Sequence, residues 1–254
     1  MSNSPVAIVT GGAQGLGAAI VTELLKKECR ICIADIQEST LNEFAEEQKN
    51  IYGKENIITA TCDVTKESDY TRIFDLTLKT FSKIDLLVNN AGIIREQEPH
   101  KVLDVNLMGP INGCKTALKY MGKSNGGKGG MVINTASIAG FLPIASVPVY
   151  VASKHGVIGL TRSFGHPYHL EKDAVIFTAI CPSFIRTKLL NSKDDTLVSG
   201  LDFSQRTDLM SSEYVAKAVL KLLEEKINGS TLLVTSDRYQ YIGVQQELED
   251  ISLE

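Results

Sequence analysis

Thr10-Gly11-Gly12-Ala13-Gln14-Gly15-Leu16-Gly17 follows an apolar, β-rich run from Val6 to Thr10 and opens a segment of helical period that begins at Leu16. Strand, glycine turn and helix in that order let the backbone approach a pyrophosphate, which then rests on the positive end of the helix. A glycine-rich turn carries little information alone, so its context matters. The next apolar run, Arg30–Ala34, ends at Asp35, where a carboxylate can hold a ribose 2′-hydroxyl. A 2′-phosphate would be repelled there, and neither Ile36 nor Gln14 offers a compensating cation. The stretch therefore points to NAD rather than NADP, with Gly11, Gln14, Gly15, Leu16, Gly17 and Asp35 as candidate contacts.

Outward from this stretch, short apolar runs alternate with longer helical segments. Strands are expected at Val6–Thr10, Arg30–Ala34, Asn56–Thr61, Ile84–Val88, Met131–Thr135, Ala174–Ile180 and Ser230–Thr235. Helices are expected at Leu16–Glu28, Glu38–Lys49, Lys66–Phe81, along a long segment near Lys101–Met121, from Tyr150, and at Ser212–Lys226. Strands apolar throughout indicate burial on both faces, as in a parallel sheet covered by helices. Repeated β-α units then predict an α/β fold of Rossmann type: one doubly wound, mainly parallel sheet of seven strands, with helices on both faces. No linker divides the chain, so residues 1–254 are expected to form one domain. The irregular segment at about 183–211 interrupts the rhythm and reads as a substrate lid.

The chain has 254 residues, 43% hydrophobic and 22% charged, which excludes disordered and fibrous classes. A net charge of −4 argues against nucleic acid as a partner. No apolar run approaches the ~20 residues of a membrane span, and no leader is apparent, so a cytoplasmic protein is expected. Five scattered cysteines suit a reducing compartment. Cys29-Arg-Ile-Cys32 has redox spacing, but Cys32 lies inside an expected strand and reads as packing. His166 and His169 lack ligand partners at metal spacing, so no metal is assigned. Gly122-Lys-Ser-Asn-Gly-Gly127-Lys128 resembles a phosphate loop. It comes after a helix and before a strand, however, and Gly129 stands where Ser or Thr would bind Mg²⁺, so it reads as a connection.

Tyr150 and Lys154 form Y-x-x-x-K, and so do Tyr168 and Lys172. The spacing arises readily by chance, so company decides between the copies. Ser137 stands thirteen residues before Tyr150 at a strand end, whereas His155 stands thirteen before Tyr168 inside a helix. Carboxyl ends of parallel strands are where ligands bind. An i,i+4 pair places the ammonium of Lys154 near the phenol of Tyr150. Phenol ionises at about 10, and lowering this by two to three units takes roughly 3–4 kcal/mol of preferential phenolate stabilisation. Lys154 and an oxidised nicotinamide can supply that together, which makes Tyr150 a usable general base toward an alcohol.

With these residues in place, the chain resembles the short-chain dehydrogenase/reductase family over almost its whole length. The matching motifs are Thr10–Gly17, Asp63-Val64, the Asn-Asn-Ala-Gly run Asn89–Gly92, Asn106, and the Ser137, Tyr150, Lys154 set. The resemblance implies that Tyr150 is acid/base and that Ser137 binds the reacting oxygen. Lys154 would hold the nicotinamide ribose and tune Tyr150, and Asn106 would anchor a proton relay. It implies further that Asp63 and Val64 meet adenine, that Asn89, Ala91 and Gly92 line the adenosine ribose, and that Pro182, Ile185 and Thr187 adjoin the nicotinamide. It also implies a homodimer. Within the family, Asn125–Gly130 and Pro148–Gly156 look most similar to the branch of NAD-dependent hydroxyprostaglandin dehydrogenases and insect-type alcohol dehydrogenases.

The chain departs from the family at three places. Pro182-Ser183 replaces the usual Pro-Gly, and Val147 replaces the Gln that prostaglandin dehydrogenases carry three residues before the Tyr. Gly165-His166-Pro167 should end or kink the helix that begins near Tyr150. Ser137, Phe141, Leu142, Val147 and Phe184 are the candidate pocket. With few charges between Ile138 and Tyr150, they favour a hydrophobic secondary alcohol or ketone, of lipid or steroid type, as the small-molecule partner. A steroid ketone reductase is the nearest alternative. A regulator that senses NAD(H) without chemistry would typically lack the Tyr or the Lys, and both are present.

Overall fold

The computed structural model describes residues 4–186 and 208–243. Their strands form a single sheet in the order β3-β2-β1-β4-β5-β6-β7-β8. These are β1 (Val6–Thr10), β2 (Arg30–Asp35), β3 (Ile57–Thr61), β4 (Leu86–Asn89), β5 (Gly130–Thr135), β6 (Val175–Pro182), β7 (Thr231–Val234) and β8 (Tyr239–Tyr241). Pairing is parallel from β3 through β7, and β8 returns antiparallel beside β7. The sheet therefore has eight strands where the sequence predicts seven. Tyr239-Gln240-Tyr241 is too short to read as an apolar run. A tight turn sets it in place: Thr235 N–H donates to the Arg238 carbonyl at 3.0 Å, and Thr235 Oγ1 donates to Asp237 Oδ1 at 2.6 Å.

Every residue of β1 is buried, and its side chains alternate between two cores. Ala7 and Val9 join Ile20, Leu24, Leu41, Val215 and Val219, beneath helices α1 (Gly15–Lys26), α2 (Glu38–Tyr52) and α8 (Ser212–Glu225). Ile8 joins Tyr70, Phe74, Cys114 and Phe177, beneath α3 (Glu67–Phe81) and α5 (Gly109–Met121). A strand flanked by helices on both faces must be apolar at both parities, which is why these runs do not alternate. All five cysteines are free and buried. Burial pushes the thiols of Cys62, Cys114 and Cys181 up to about 12, which removes them from thiolate chemistry.

The expected long helix near Lys101–Met121 is interrupted. It runs as α4 (Pro99–Leu103), a π turn over Asp104–Met108, and α5. Pro110 stands four residues after Asn106, lacks the N–H that would bond the Asn106 carbonyl, and would press its ring against that oxygen. The wider turn relieves the conflict. The helix from Pro148, α6 (Pro148–Phe164), stops as expected before Pro167, which takes the first position of α7 (Pro167–Asp173).

Candidate active site

The chain runs from β1 outward to β3 and then crosses to β4 on the other side. A cleft therefore opens between the carboxyl ends of β1 and β4, the position where doubly wound sheets bind ligands. Thr10 joins the two strands there. Its hydroxyl donates to the Val88 carbonyl at 3.3 Å and accepts from Asn90 N–H at 3.1 Å. Gly11 takes a φ of +61° at the start of the turn, as the glycine motif requires. At Gly17 a β-carbon would drive into the Gly11 carbonyl oxygen and stand 2.6 Å from Asn90 Nδ2. Asn90 also closes the turn, donating from Nδ2 to the carbonyls of Thr10 and Gly11, each at 3.1 Å.

This cradle fits a dinucleotide. Gln14 at the N-cap of α1 supplies no side-chain bond, so the first-turn N–H groups remain available to a pyrophosphate. By contrast, α8 is capped by Ser211, whose Oγ accepts from Tyr214 N–H at 3.1 Å. Asp35 ends β2 almost fully buried, with Oδ2 accepting from Ala13 N–H at 3.1 Å and Oδ1 from Gln37 N–H at 3.0 Å. Two backbone bonds leave lone pairs on the carboxylate for a diol. Further along, Asp63 Oδ1 accepts from both Thr65 N–H and Thr65 Oγ1. Val64 is buried against Gly109, and its carbonyl accepts from Asn112 Nδ2 at 3.2 Å.

The two asparagines at the end of β4, Asn89 in the strand and Asn90 just beyond it, face opposite ways. Asn90 turns up to the glycine loop, whereas Asn89 is buried at 2% exposure within a polar ladder under the cleft. Tyr70 Oη donates to Asn89 Oδ1 at 2.8 Å, Asn89 Nδ2 to Asn134 Oδ1 at 2.9 Å, and Asn134 Nδ2 to Thr161 Oγ1 at 3.0 Å. Asn89 thus supports the cleft floor with its side chain, while Ala91 and Gly92 lie at the surface of the cleft, half-buried.

The remaining groups converge on Gly92 and α6. Asn106, at 0% exposure, clasps the backbone of Ile93: its Oδ1 accepts from the N–H and its Nδ2 donates to the carbonyl, both at 2.8 Å. The same Nδ2 reaches Ser153 Oγ at 3.3 Å, and Ser153 Oγ donates to the Tyr150 carbonyl at 2.7 Å. A β-carbon on Gly92 would lie 3.4 Å from Asn106 Oδ1 and 3.7 Å from Lys154 Nζ. Lys154 is buried, its ammonium donates to the Thr135 carbonyl at 2.8 Å, and Nζ stands 5.5 Å from the centre of the Tyr150 ring. Ser137 Oγ accepts from Ala139 N–H at 3.1 Å and reaches the Pro182 carbonyl at 3.5 Å.

Burial holds the Lys154 ammonium down at about 8. Burial also raises the phenol of Tyr150, and the hydroxyl of Ser137 opposes that rise. Among the chain's own groups, then, burial outweighs the stabilisation expected from the sequence. A lowered phenol has to draw on positive charge brought in beside it. A buried, low-dielectric setting makes such charge more effective.

Of the candidate pocket, Ser137 is buried, Phe141 and Phe184 are half-buried, and Leu142 is exposed. Val147 is 3% exposed and packs with Ile94, Ile144, Tyr150 and Val151. Ser183 N–H donates to the Val234 carbonyl at 2.8 Å, continuing the edge of β7 past Pro182. Ile185 bridges to Met210. Thr187 and most of the expected lid at 183–211 lie outside the described residues. A cavity of about 560 Å³ at the opposite edge of the sheet, lined by Ala7, Leu24, Met131 and Leu223, contains none of these residues.

The family model described as short chain dehydrogenase matches residues 5–197. The chain belongs to that family. Among curated members, 15-hydroxyprostaglandin dehydrogenase [NAD(+)] of Rattus norvegicus is 34% identical, covering 93% of this chain and 92% of its own. (+)-Borneol dehydrogenase 2 of Salvia officinalis is 33% identical, covering 94% and 85%. A short chain dehydrogenase/reductase from Burkholderia phymatum, solved in complex with NAD, shares the fold, with a TM-score of 0.80 at 24% identity over 91% of this chain and 88% of that one. No helix among the described residues is long and apolar enough to cross a membrane.

Two residues beside this cleft receive no role from the sequence: Asn90, although it lies in the Asn89–Gly92 run, and Glu96. Asn90 carries a signal, the period of two that turns it away from Asn89. Glu96, whose carboxylate meets the start of α6, carries none.

Proposed function

We propose that this chain is an NAD-dependent oxidoreductase that interconverts a hydrophobic secondary alcohol and its ketone, with Tyr150 as acid/base. The observation that carries the reading is the meeting of Ser137, Tyr150, Lys154 and Asn106 from three different segments at the carboxyl edge of the sheet, with Lys154 buried against the cleft. NAD is favoured over NADP by Asp35, whose buried carboxylate accepts the loop N–H of Ala13 and would repel a 2′-phosphate. The curated relatives are named for NAD, for a hydroxyprostaglandin and for borneol, which agrees with an apolar alcohol.

A nicotinamide cofactor held by the Thr10–Gly17 loop, Asp35 and Lys154 would supply hydride-transfer chemistry at the alcohol carbon. In oxidation, the Ser137 hydroxyl donates a hydrogen bond to the substrate oxygen, which leaves the substrate's own hydroxyl proton directed at Tyr150. The Tyr150 phenolate takes the hydroxyl proton. Lys154 stabilises that phenolate through space and holds its own position by donating to Thr135. Asn106 fixes Ile93 and, through Ser153, the backbone of Tyr150. Val147, packed against Ile94, presents no amide to a substrate hydroxyl, which favours other apolar alcohols over prostaglandin.

NADH formation over a panel of secondary alcohols, including borneol and a prostaglandin, tests the reading, with Tyr150→Phe as control. Turnover of an apolar alcohol that is lost in the control is the expected result. Undiminished turnover in the control would end the assigned mechanism.

A further inference from the structure

Helix α6 carries Tyr150 in its first turn, and that turn is capped from far away in the sequence. Val147 at the N-cap gives no side-chain bond, and Pro148 has no N–H. The next two donors converge on one carboxylate: Val149 N–H reaches Glu96 Oε2 at 2.9 Å, and Tyr150 N–H reaches Glu96 Oε1 at 2.8 Å. Glu96 is 8% exposed, so this is a buried charge seated on a helix N-terminus, where it is favoured. The other charges of its loop pair elsewhere, Arg95 and Lys101 both with Glu98.

Two bonds from one planar carboxylate to successive N–H groups fix the helix along its axis and about it. The bond to Tyr150 is to the backbone of the very residue whose phenol does the chemistry. The loop that carries Glu96 is itself tied down, by the Asn106 clasp on Ile93 and by Ile94 packed on Val147 and Tyr150. The backbone of Tyr150 is then held at both polar atoms: its N–H by Glu96, and its carbonyl by Ser153, which Asn106 also reaches. Glu96, Tyr150, Ser153, Asn106 and Ile93 close a ring that runs back along the loop to Gly92, beside Lys154.

We propose that Glu96 is a positioning residue for this reaction: it sets where the Tyr150 phenol stands relative to Ser137 and Lys154. The proposal rests on the reading of Tyr150 as acid/base. A displacement of about 1 Å at a reacting group costs on the order of 100-fold in rate, so loss of this anchor acts on turnover more than on cofactor binding.

The test measures kcat with the fastest alcohol of the panel, NADH affinity by fluorescence, and Tm, for Glu96→Ala, Glu96→Asp and Glu96→Gln. Glu96→Ala is expected to lower kcat by about 10- to 100-fold with NADH Kd within about threefold of the parent. Glu96→Gln, which keeps the length and one acceptor oxygen, should recover part of that loss. Glu96→Asp, one methylene short of spanning both N–H groups, should lose at least about tenfold, and it carries the test if the alanine variant fails to fold. An unchanged kcat in the alanine or aspartate variant with only a lower Tm, or a parallel collapse of kcat and NADH affinity, overturns the proposal. Tyr150→Phe separates the two readings. If it is inactive while Glu96→Ala and Glu96→Asp keep full rate, the anchor fails and the acid/base reading stands. If it stays active, the acid/base reading itself has failed.

Discussion

The same five-residue spacing occurs twice within a short distance, and the two copies differ in nothing but surroundings. In Tyr150–Lys154 the ammonium stands 5.5 Å from the ring centre, and in Tyr168–Lys172 it stands 5.8 Å away. The first pair spans the first two turns of α6, with its lysine 4% exposed and bonded to the end of β5. The second sits on the short α7, with Tyr168 58% exposed and Lys172 on the surface. Helical spacing therefore supplies the pair, and burial at the sheet edge is what sets the first copy apart. A motif of this kind is an i,i+4 contact until a strand end and a second segment enclose it.

Exchanging the phenols breaks the comparison most sharply. Tyr150→Phe should reduce turnover by about 10²- to 10⁴-fold, the usual reach of a positioned acid/base. Tyr168→Phe should leave it within about twofold, and initial rates of NADH formation decide. A failure of this contrast would mean that enclosure is not what separates the copies.

The lysines give the next largest contrast, in stability. The folded-state pKa of Lys154 is depressed to about 8 from the ordinary 10.5. Between those values the unfolded chain binds the proton and the folded chain does not. Stability linked to Lys154 is therefore fully present above about 10.5 and is lost as pH falls through about 8. Relative to Lys154→Met, the parent should gain up to about 3 kcal/mol between pH 7 and pH 10.5. Urea unfolding at both pH values measures this. Lys172→Met, on an exposed helix face, should change stability at pH 7 by less than about 0.5 kcal/mol.

The smallest effect lies on the outer face of α6, five residues beyond the enclosed pair. A β-carbon on Gly159 would meet nothing within 4 Å, so Gly159→Ala should stabilise by about 0.5–1 kcal/mol without altering turnover. On Gly17 the same change drives into the Gly11 carbonyl and should abolish cofactor affinity. NADH titration of the two variants sharpens the distinction between a glycine that serves the site and one that merely occupies a helix.

What the sequence reveals and what it hides follow from the range of the interactions. The glycine turn, Asp35 and the Tyr150–Lys154 pair are local patterns, set by strand ends and helical period, and they read directly. The break before Pro167 reads for the same reason, since proline acts on its immediate neighbours. The π turn over Asp104–Met108 lies hidden inside a long periodic segment, although Pro110 four residues after Asn106 marks it. β8 has no legible signal because three residues carry no period. Glu96 meets its partners across more than fifty residues, and no pattern near Glu96 or near Tyr150 announces the contact.

The ladder of Tyr70, Asn89, Asn134 and Thr161 crosses four elements in a part of the molecule that is otherwise apolar, and Asn89 and Asn134 are direct neighbours in the β4–β5 register. A one-residue slip of either strand would turn an amide out of line and strand its partners without water, at roughly 1–3 kcal/mol for each. The ladder thus works as a checksum on strand alignment. It also makes these four positions hostage to one another, so that any replacement the fold tolerates has to arrive as a matched set.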